Sequence, residues 1–253
     1  MAEIRKIAVL TSGGDSPGMN AATRATARSA IAKGIEVIGI MRGFEGLLDG
    51  DFRSLGPRDV GGIIHRGGTI LQTARSSRFM EPEWQDRAAG NLLEAGIQGL
   101  VVIGGDGSFR GADELRKRGI SVAGIPGTID NDIAGTDLTI GFRTAVETAL
   151  DAVMRLRDTA SSHDRLFIVE VMGRRSGFLA LDVAVAGGAE AVIVPEVQFT
   201  LGKLIDRLHE ARRKGKTHSL IVLAEGVMPA QDLRDRIQDT AGYDARVTVL
   251  GHI

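Results

Sequence analysis

Short apolar runs alternate with longer amphipathic ones along the whole chain, which predicts an α/β protein with mostly parallel sheets and right-handed crossovers. Glycine supports this: there are 34 in 253 residues, nearly twice the average usage of about 7%. They gather where apolar runs end, with only 6 prolines and no low-complexity tract. Ligands in such sheets collect at the carboxyl ends of strands, so those glycine-bearing ends hold the candidate chemistry.

Taken in order, the predicted strands are 6–12, 36–41, 99–105, 121–126, 166–172, 191–195, 219–225 and 246–250, each a short apolar run closed by turn residues. The predicted helices are the longer stretches between them: 18–33, 81–95, 107–118, 140–160, 176–186, 201–214 and 230–240. No tandem repeat of short period is evident. The long helical run through 144–158 divides the chain. Glycine loops of phosphate-binding type precede it and arginine-rich strand ends follow it, so two α/β domains with a cleft between them are expected, 1–141 and 142–253.

Composition excludes several classes. Lys and Arg number 31 against 32 Asp and Glu, which gives no support to general polyanion or nucleic-acid binding. Aromatic residues make up 4%, with Trp84 and Tyr243 single of their kind, so a base-stacking platform is not expected. The absence of cysteine excludes disulfides and thiolate chemistry. No signal peptide or membrane span is read, and a cytoplasmic protein is the expectation.

Four loops carry candidate chemistry. The first strand ends in Thr11-Ser12-Gly13-Gly14-Asp15-Ser16-Pro17-Gly18-Met19-Asn20. Its glycines, hydroxyls and helix start offer backbone donors to an anion, or it is a turn capped by Asp15 or Ser16. The second loop runs from Arg66-Gly67-Gly68-Thr69 to Arg75, where Arg75 could neutralise a polyphosphate or be an idle surface arginine. The third is Gly104-Gly105-Asp106-Gly107-Ser108: glycines admit a phosphate to the backbone, and a carboxylate suits a phosphate only with a cation such as Mg²⁺ between them. The fourth, Pro126-Gly127-Thr128-Ile129-Asp130-Asn131-Asp132, sets two carboxylates at i and i+2, a general base and its tuner or metal neighbour, or an Asx turn. Together the loops describe equipment for phosphoryl transfer. In the second half, His163, Arg165, Met172-Gly173-Arg174-Arg175-Ser176-Gly177, Ala224-Glu225-Gly226, Arg246 and His252 border strands and suit an anionic, hydroxyl-bearing second substrate. The run Arg212-Arg213-Lys214-Gly215-Lys216 reads as a solvated helix end favoured by the macrodipole.

Seven motifs in this order, T-S-G-G-D-S-P-G-M-N, R-G-G-T-I-L-x-T-A-R, G-G-D-G-S, P-G-T-I-D-N-D, M-G-R-x-S-G, A-E-G and R-V-T-V-L-G-H, make the chain resemble the bacterial-type ATP-dependent 6-phosphofructokinases from Ile7 onward. The resemblance implies two Rossmann-like three-layer α/β/α domains with the active site in the cleft, and transfer of the ATP γ-phosphate to the 1-hydroxyl of fructose 6-phosphate, the committed step of glycolysis. Gly14, Arg75, Ser76, Gly105, Asp106, Gly107, Ser108 and Gly111 would bind ATP, with Asp106 at Mg²⁺. Asp130 would be the general base, flanked by Thr128 and Asp132; Arg174 would span the transferring phosphate and the sugar, and Thr128 and Gly14 would be catalytic as well. Met172, Gly173, Glu225 and His252 would contact the sugar phosphate of the same subunit. Arg165 and Arg246 would reach it across a subunit interface, which implies a homotetramer.

An effector site for ADP or phosphoenolpyruvate is also implied, at Arg24, Arg28, Arg157, Glu190, Lys214, Lys216 and His218. Where the resemblance implies a further effector arginine this chain has Pro57, with Arg53 and Arg58 nearby. Relatives that use pyrophosphate carry an aspartate and a lysine where this chain has Gly107 and Gly127, so ATP is the expected donor. Family members continue for several dozen residues beyond the L-G-H, through a Q-R-G-G segment. The expected alternative is therefore a catalytically impaired nucleotide- and sugar-phosphate-binding fragment. NAD and lipid kinases also use a G-G-D-G loop, but the P-G-T-I-D-N-D and M-G-R elements separate this chain from them.

Overall fold

The computed structural model describes residues 3–163 and 165–252, without the side chains of 161–163. His163, noted above, therefore lies outside the described side chains. The chain divides into two compact units. One comprises the chain up to Thr128 together with Ile133–Gly141, and the other Ile129–Asp132 together with the chain from Phe142 onward.

The first unit is organised on a sheet of order β3-β2-β1-β4-β5-β6, with β1 Lys6–Ser12, β2 Glu36–Ile40, β3 Phe52–Ser54, β4 Gly99–Gly104, β5 Ser121–Thr128 and β6 Ile140–Gly141. Only the β2–β3 pair is antiparallel among the described strands. Successive β1 side chains face opposite ways, as a pleated strand requires. Ala8 and Leu10 join Ile40, Leu100 and Val102 under α2 (Gly43–Asp49), α3 (Pro82–Glu94) and α4 (Asp106–Lys117). Val9 joins Val37 and Ile103 under Met19, Ala22 and Ala27 of α1 (Met19–Ile31). A sheet buried on both faces by helices gives three layers.

The second unit repeats the plan. Its all-parallel sheet runs β10-β7-β9-β8, formed by β7 Leu166–Val171, β8 Ala191–Ile193, β9 Ser219–Ala224 and β10 Ala245–Leu250. Phe167, Val169, Leu220 and Val222 pack on one face against α5 (Phe142–His163) and α6 (Phe178–Gly187). Leu166, Ile168, Ile221 and Leu223 pack on the other against α7 (Leu201–Arg213) and α8 (Ala230–Ala241).

The expected elements are all present, with four additions, one of them the 3-10 turn Arg78–Met80. The sequence reading had no element at α2, whose Gly-Phe-Glu-Gly-Leu-Leu-Asp contains two poor helix formers. Burial of Phe44, Leu47 and Leu48 overrides that propensity. Strands β3 and β6, of three and two residues, are too short to show a period. β5 also runs two residues past its expected end, because Gly127 and Thr128 pair with Ile140 and Gly141.

Candidate active site

In the first unit three of the four loops leave adjacent parallel strands at one level. Ser12 is in register with Gly104, and Gly104 with Pro126, so the turns that follow are neighbours at the carboxyl edge. The close approach explains the glycines. A Cβ on Gly104 would stand 2.5 Å from both Ser108 Oγ and the Ser12 carbonyl, and one on Gly105 3.6 Å from Thr128 Cβ. Gly13, at φ 90°, adopts a conformation that L side chains rarely take. Gly14 is exposed in the same turn.

Gly105 precedes α4, and Asp106, Gly107 and Ser108 form its first turn. Ser108 N donates to the Gly105 carbonyl at 3.0 Å, and the other N–H groups of a helix's first turn, which have no intrahelical partner, make such a start a ready anion site. A Cβ on Gly107 would meet nothing within 4 Å, so this surface is open. Ser108 is buried beneath it. Gly111 has a packing duty: a Cβ there would stand 2.8 Å from the Phe44 ring. Asp106 is half-exposed and pairs with Arg110 at 2.6 Å, a contact the sequence reading did not foresee. Surface pairs of this kind contribute little, so the carboxylate can exchange Arg110 for a cation. Among the described residues no group of three His, Cys, Asp or Glu side chains is placed to hold a metal. Asp106 fits Mg²⁺ in the way such ions are bound beside phosphates, by one or two carboxylates with the remaining ligands from phosphate and water.

The second loop is stapled to the first. Thr11 Oγ1 lies 2.8 Å from Thr69 Oγ1 and donates to the Gln72 carbonyl at 2.8 Å. Asn20 donates to the Arg66 carbonyl at 2.9 Å and accepts from Ile70 N at 2.8 Å. Thr73 donates to the Gly13 carbonyl at 2.7 Å. Arg75 is exposed, and Ser76 Oγ accepts from Phe79 N at 3.2 Å. Buried Thr11 and Asn20 are thus the residues that hold Arg75's loop, a duty that no spacing rule announces.

In the second unit Asp130 is 7% exposed, and its Oδ2 lies 3.8 Å from Arg174 Nε. Ser176 Oγ donates to the Asp130 carbonyl at 2.7 Å. Asp132 is two residues on and exposed. Arg174 and Asn131 are left-handed, at φ 53° and 51°. Such conformations cost energy in non-glycine residues and gather at functional sites. Glu225 Oε1 accepts from Gly173 N at 3.0 Å and Arg174 N at 2.7 Å, so it clamps the backbone that presents Arg174. Gly226, missed as a site residue, is forced by the same geometry: a Cβ there would overlap the Arg174 carbonyl. His252, left-handed at φ 62°, donates its N–H to Met172 Sδ at 3.4 Å.

Arg165 and Arg246 lie elsewhere. They precede or begin β7 and β10, at the amino ends of the strands whose carboxyl ends lead to Met172 and His252. Both pair with Asp244, at 3.4 and 3.2 Å. Of the expected effector residues, Arg24 and Arg28 are in the first unit, where Arg24 donates to the Val60 carbonyl at 2.6 Å and Arg28 is exposed. In the second unit Arg157 donates to the Gly187 carbonyl at 2.5 Å and Lys216 to Glu190 at 2.7 Å. Glu190 also accepts from Leu220 N. These three surround the 187–190 turn. Lys214 pairs with Glu210 at 2.6 Å. His218 Nδ1 is enclosed without a hydrogen-bond partner among the described residues. Arg53, near Pro57 at the further effector position, pairs with Asp59 at 3.1 Å. No described helix is long and apolar enough to cross a membrane.

A family model for phosphofructokinase matches residues 6–253. The chain is 56% identical over 250 residues to a protein of Listeria welshimeri named ATP-dependent 6-phosphofructokinase, covering 99% of this chain and 78% of that one. It is 53% identical, with the same coverage, to a protein of that name from Natranaerobius thermophilus. Phosphofructokinase from Saccharomyces cerevisiae superposes with a TM-score of 0.91 at 41% identity, over 98% of this chain and 38% of the yeast chain. A pyrophosphate-dependent phosphofructokinase from Marinobacter aquaeolei, at 22% identity and TM-score 0.82, shares the fold. The motifs, the doubled three-layer architecture and these matches agree: the chain belongs to the phosphofructokinase family.

Proposed function

We propose that the protein transfers the γ-phosphate of ATP to the 1-hydroxyl of fructose 6-phosphate. The observation that carries this beyond nucleotide binding is Asp130 facing Arg174 on a loop held by Glu225. In this reading the first unit receives the nucleotide, its phosphates on the N–H groups of Gly14, Gly105 and Gly107 above Ser108, whose own N–H donates to the Gly105 carbonyl, with Arg75 neutralising charge. Asp106 holds Mg²⁺, which supplies charge neutralisation at the phosphates. The Asp130 carboxylate takes the proton from the 1-hydroxyl as the sugar oxygen bonds to the γ-phosphorus and the bond from that phosphorus to the β,γ-bridging oxygen breaks, ADP leaving with that oxygen. Arg174 stabilises charge on the transferring phosphoryl group. Glu225, Met172 and His252 orient the sugar.

The reading extends to a homotetramer in the cytoplasm with a sugar site shared between subunits. Arg165 and Arg246 support the sharing: the six residues of β7 separate Arg165, and the last four of β10 separate Arg246, from the Arg174 end of their own sheet, about 20 and 13 Å at 3.3 Å per residue. Arginines at such distances serve another subunit's substrate more readily than their own. An ADP or phosphoenolpyruvate effector is assigned to the cations around Glu190 and to Arg24 and Arg28.

The test is ADP release with fructose 6-phosphate, with and without Mg²⁺, beside calorimetry of each substrate. Turnover that needs both the sugar phosphate and the cation is expected. Binding of both substrates without product would overturn the catalytic reading and leave a binding protein.

A further inference from the structure

A chain of alternating charges ties Arg75's loop to α2. Arg78 stands three residues after Arg75, on the 3-10 turn Arg78–Met80. Its Nε donates to Glu45 Oε1 at 2.8 Å, and its Nη2 reaches the same carboxylate and Asp49 Oδ1, the latter at 3.0 Å. Arg42 donates to Asp49 and Asp51, each at 3.2 Å, so the order is Arg42, Asp49, Arg78, Glu45. Two nitrogens on one carboxylate in a linked network, with the Arg78 side chain 34% and Glu45 23% exposed, differ from the isolated surface pairs that contribute little. The Ser76 hydroxyl first, and Arg78 second, hold the Glu45 carboxyl below its ordinary 4.5. Arg78 likewise leads in holding Asp49 low.

Apolar contacts fix the same turn. The Phe79 ring lies 4.3 Å from that of Phe44 on α2, Gln85 donates to the Phe79 carbonyl at 2.9 Å, and Arg78 lies 5.2 Å from the Trp84 ring centroid. Between β3 and this turn the described chain has no helix or strand. A long irregular segment keeps a side chain in place only when tied at both sides, because its conformational entropy opposes order. Arg75 has its N-terminal tie at Thr73 and Gly13. On the other side the ties are the Phe79 contacts and, nearest in the chain to Arg75 among the ion pairs, Arg78.

We propose that Arg78 is a positioning residue for the nucleotide: its hold on Glu45, backed by Asp49 and Arg42, sets where Arg75 and Ser76 meet the phosphates. This rests on the nucleotide reading above. It also makes Trp84, the single tryptophan, an optical reporter of the loop, since of the two guanidinium groups over its ring Arg87 is on α3 with it and Arg78 moves with the turn.

The experiment compares wild type, Arg78→Ala, Arg78→Lys, Glu45→Ala and the Arg78→Ala/Glu45→Ala double variant. It measures KM for ATP and for fructose 6-phosphate, thermal midpoint, and Trp84 emission during ATP titration. In Arg78→Ala the KM for ATP is expected to rise on the order of tenfold, modest for a misplaced binding group, while the KM for the sugar stays within about twofold. Glu45→Ala should match it, and the double variant should be no worse than either single, as expected of one coupled unit. Arg78→Lys, which keeps the charge without the fork, should recover only part of the loss and serves as the readout if Arg78→Ala does not fold. Wild type that binds ATP beside Arg78 variants that bind it equally well overturns the positioning role alone. Equal rises in both KM values, or additive losses in the double variant, overturn it too. Wild type that binds no ATP overturns the nucleotide reading and this inference with it.

Discussion

The two candidate sites, one in each unit, are built from different material. The cradle in the first unit is backbone: Gly104 and Gly105 bring the β4 turn against β1 and Thr128, and the start of α4 supplies its donors. The acceptor side in the second unit is side chain: Asp130 faces Arg174, and a carboxylate grips the backbone of a left-handed arginine. A polyphosphate is large, charged and much alike in every nucleotide, so fixed N–H groups at a helix start suffice for it. Proton abstraction from one hydroxyl needs a particular carboxylate in a particular place. Strain at Asn131 and Arg174 belongs where precision is needed.

The sharpest way to break this contrast is Asp130→Ala. With the backbone cradle untouched, ATP affinity should stay within about twofold, while kcat falls by roughly 10²–10⁴, the usual contribution of a positioned base. Rapid-quench turnover and calorimetry measure the two. A kcat near wild type would remove Asp130 from the chemistry. Asp106→Asn is the converse on the donor side. Loss of the metal-binding charge should cut kcat/KM by about 10²-fold and flatten its dependence on Mg²⁺, without changing sugar binding.

Glu225 separates a sugar contact from a backbone clamp. Glu225→Ala leaves the N–H groups of Gly173 and Arg174 without their acceptor, and the KM for fructose 6-phosphate should rise on the order of tenfold. Glu225→Gln keeps an oxygen for both donors and should stay within about threefold, since each neutral hydrogen bond is worth on the order of 1 kcal/mol. Equal losses in the two variants would show that the charge matters to the sugar and the clamp does not.

The same contrast explains what could be read from the sequence. Parallel α/β order follows from period and punctuation, and backbone sites announce themselves because only glycine fits at Gly104 and Gly13. Side-chain devices hide. Arg78 meets Glu45 across 33 residues and Glu225 meets Gly173 across 52, so neither pairing has a local spacing to recognise. Helix α2 hid for another reason: its two glycines signal a loop, and only the burial of Phe44 and Leu47 reveals a helix. Placement at opposite ends of one sheet likewise separates Arg246 from His252, which lie six residues apart in the chain.

The smallest expected effect concerns Gly107 and Gly127, which sequence logic treats as one pair selecting ATP over pyrophosphate. Their surroundings differ. A Cβ at Gly107 meets nothing within 4 Å, whereas one at Gly127 stands 3.2 Å from Ile103 Cγ2 and 3.6 Å from Met19 Cε and Ser16 Oγ. Gly107→Ala, inside α4, should therefore leave the thermal midpoint unchanged or raise it by roughly 2 °C, because alanine is favoured over glycine in a helix by about 1 kcal/mol. Gly104→Ala is the control for close approach and should cost about 1–3 kcal/mol through overpacking. Gly107→Asp should lose ATP affinity at little cost in stability, since its side chain enters open space that the proposed function gives to the nucleotide. Gly127→Lys must displace packed neighbours and should lower the midpoint before any change in donor preference is seen. If Gly127→Lys is as stable as wild type and Gly107→Asp binds ATP normally, the openness at Gly107 has no bearing on the donor.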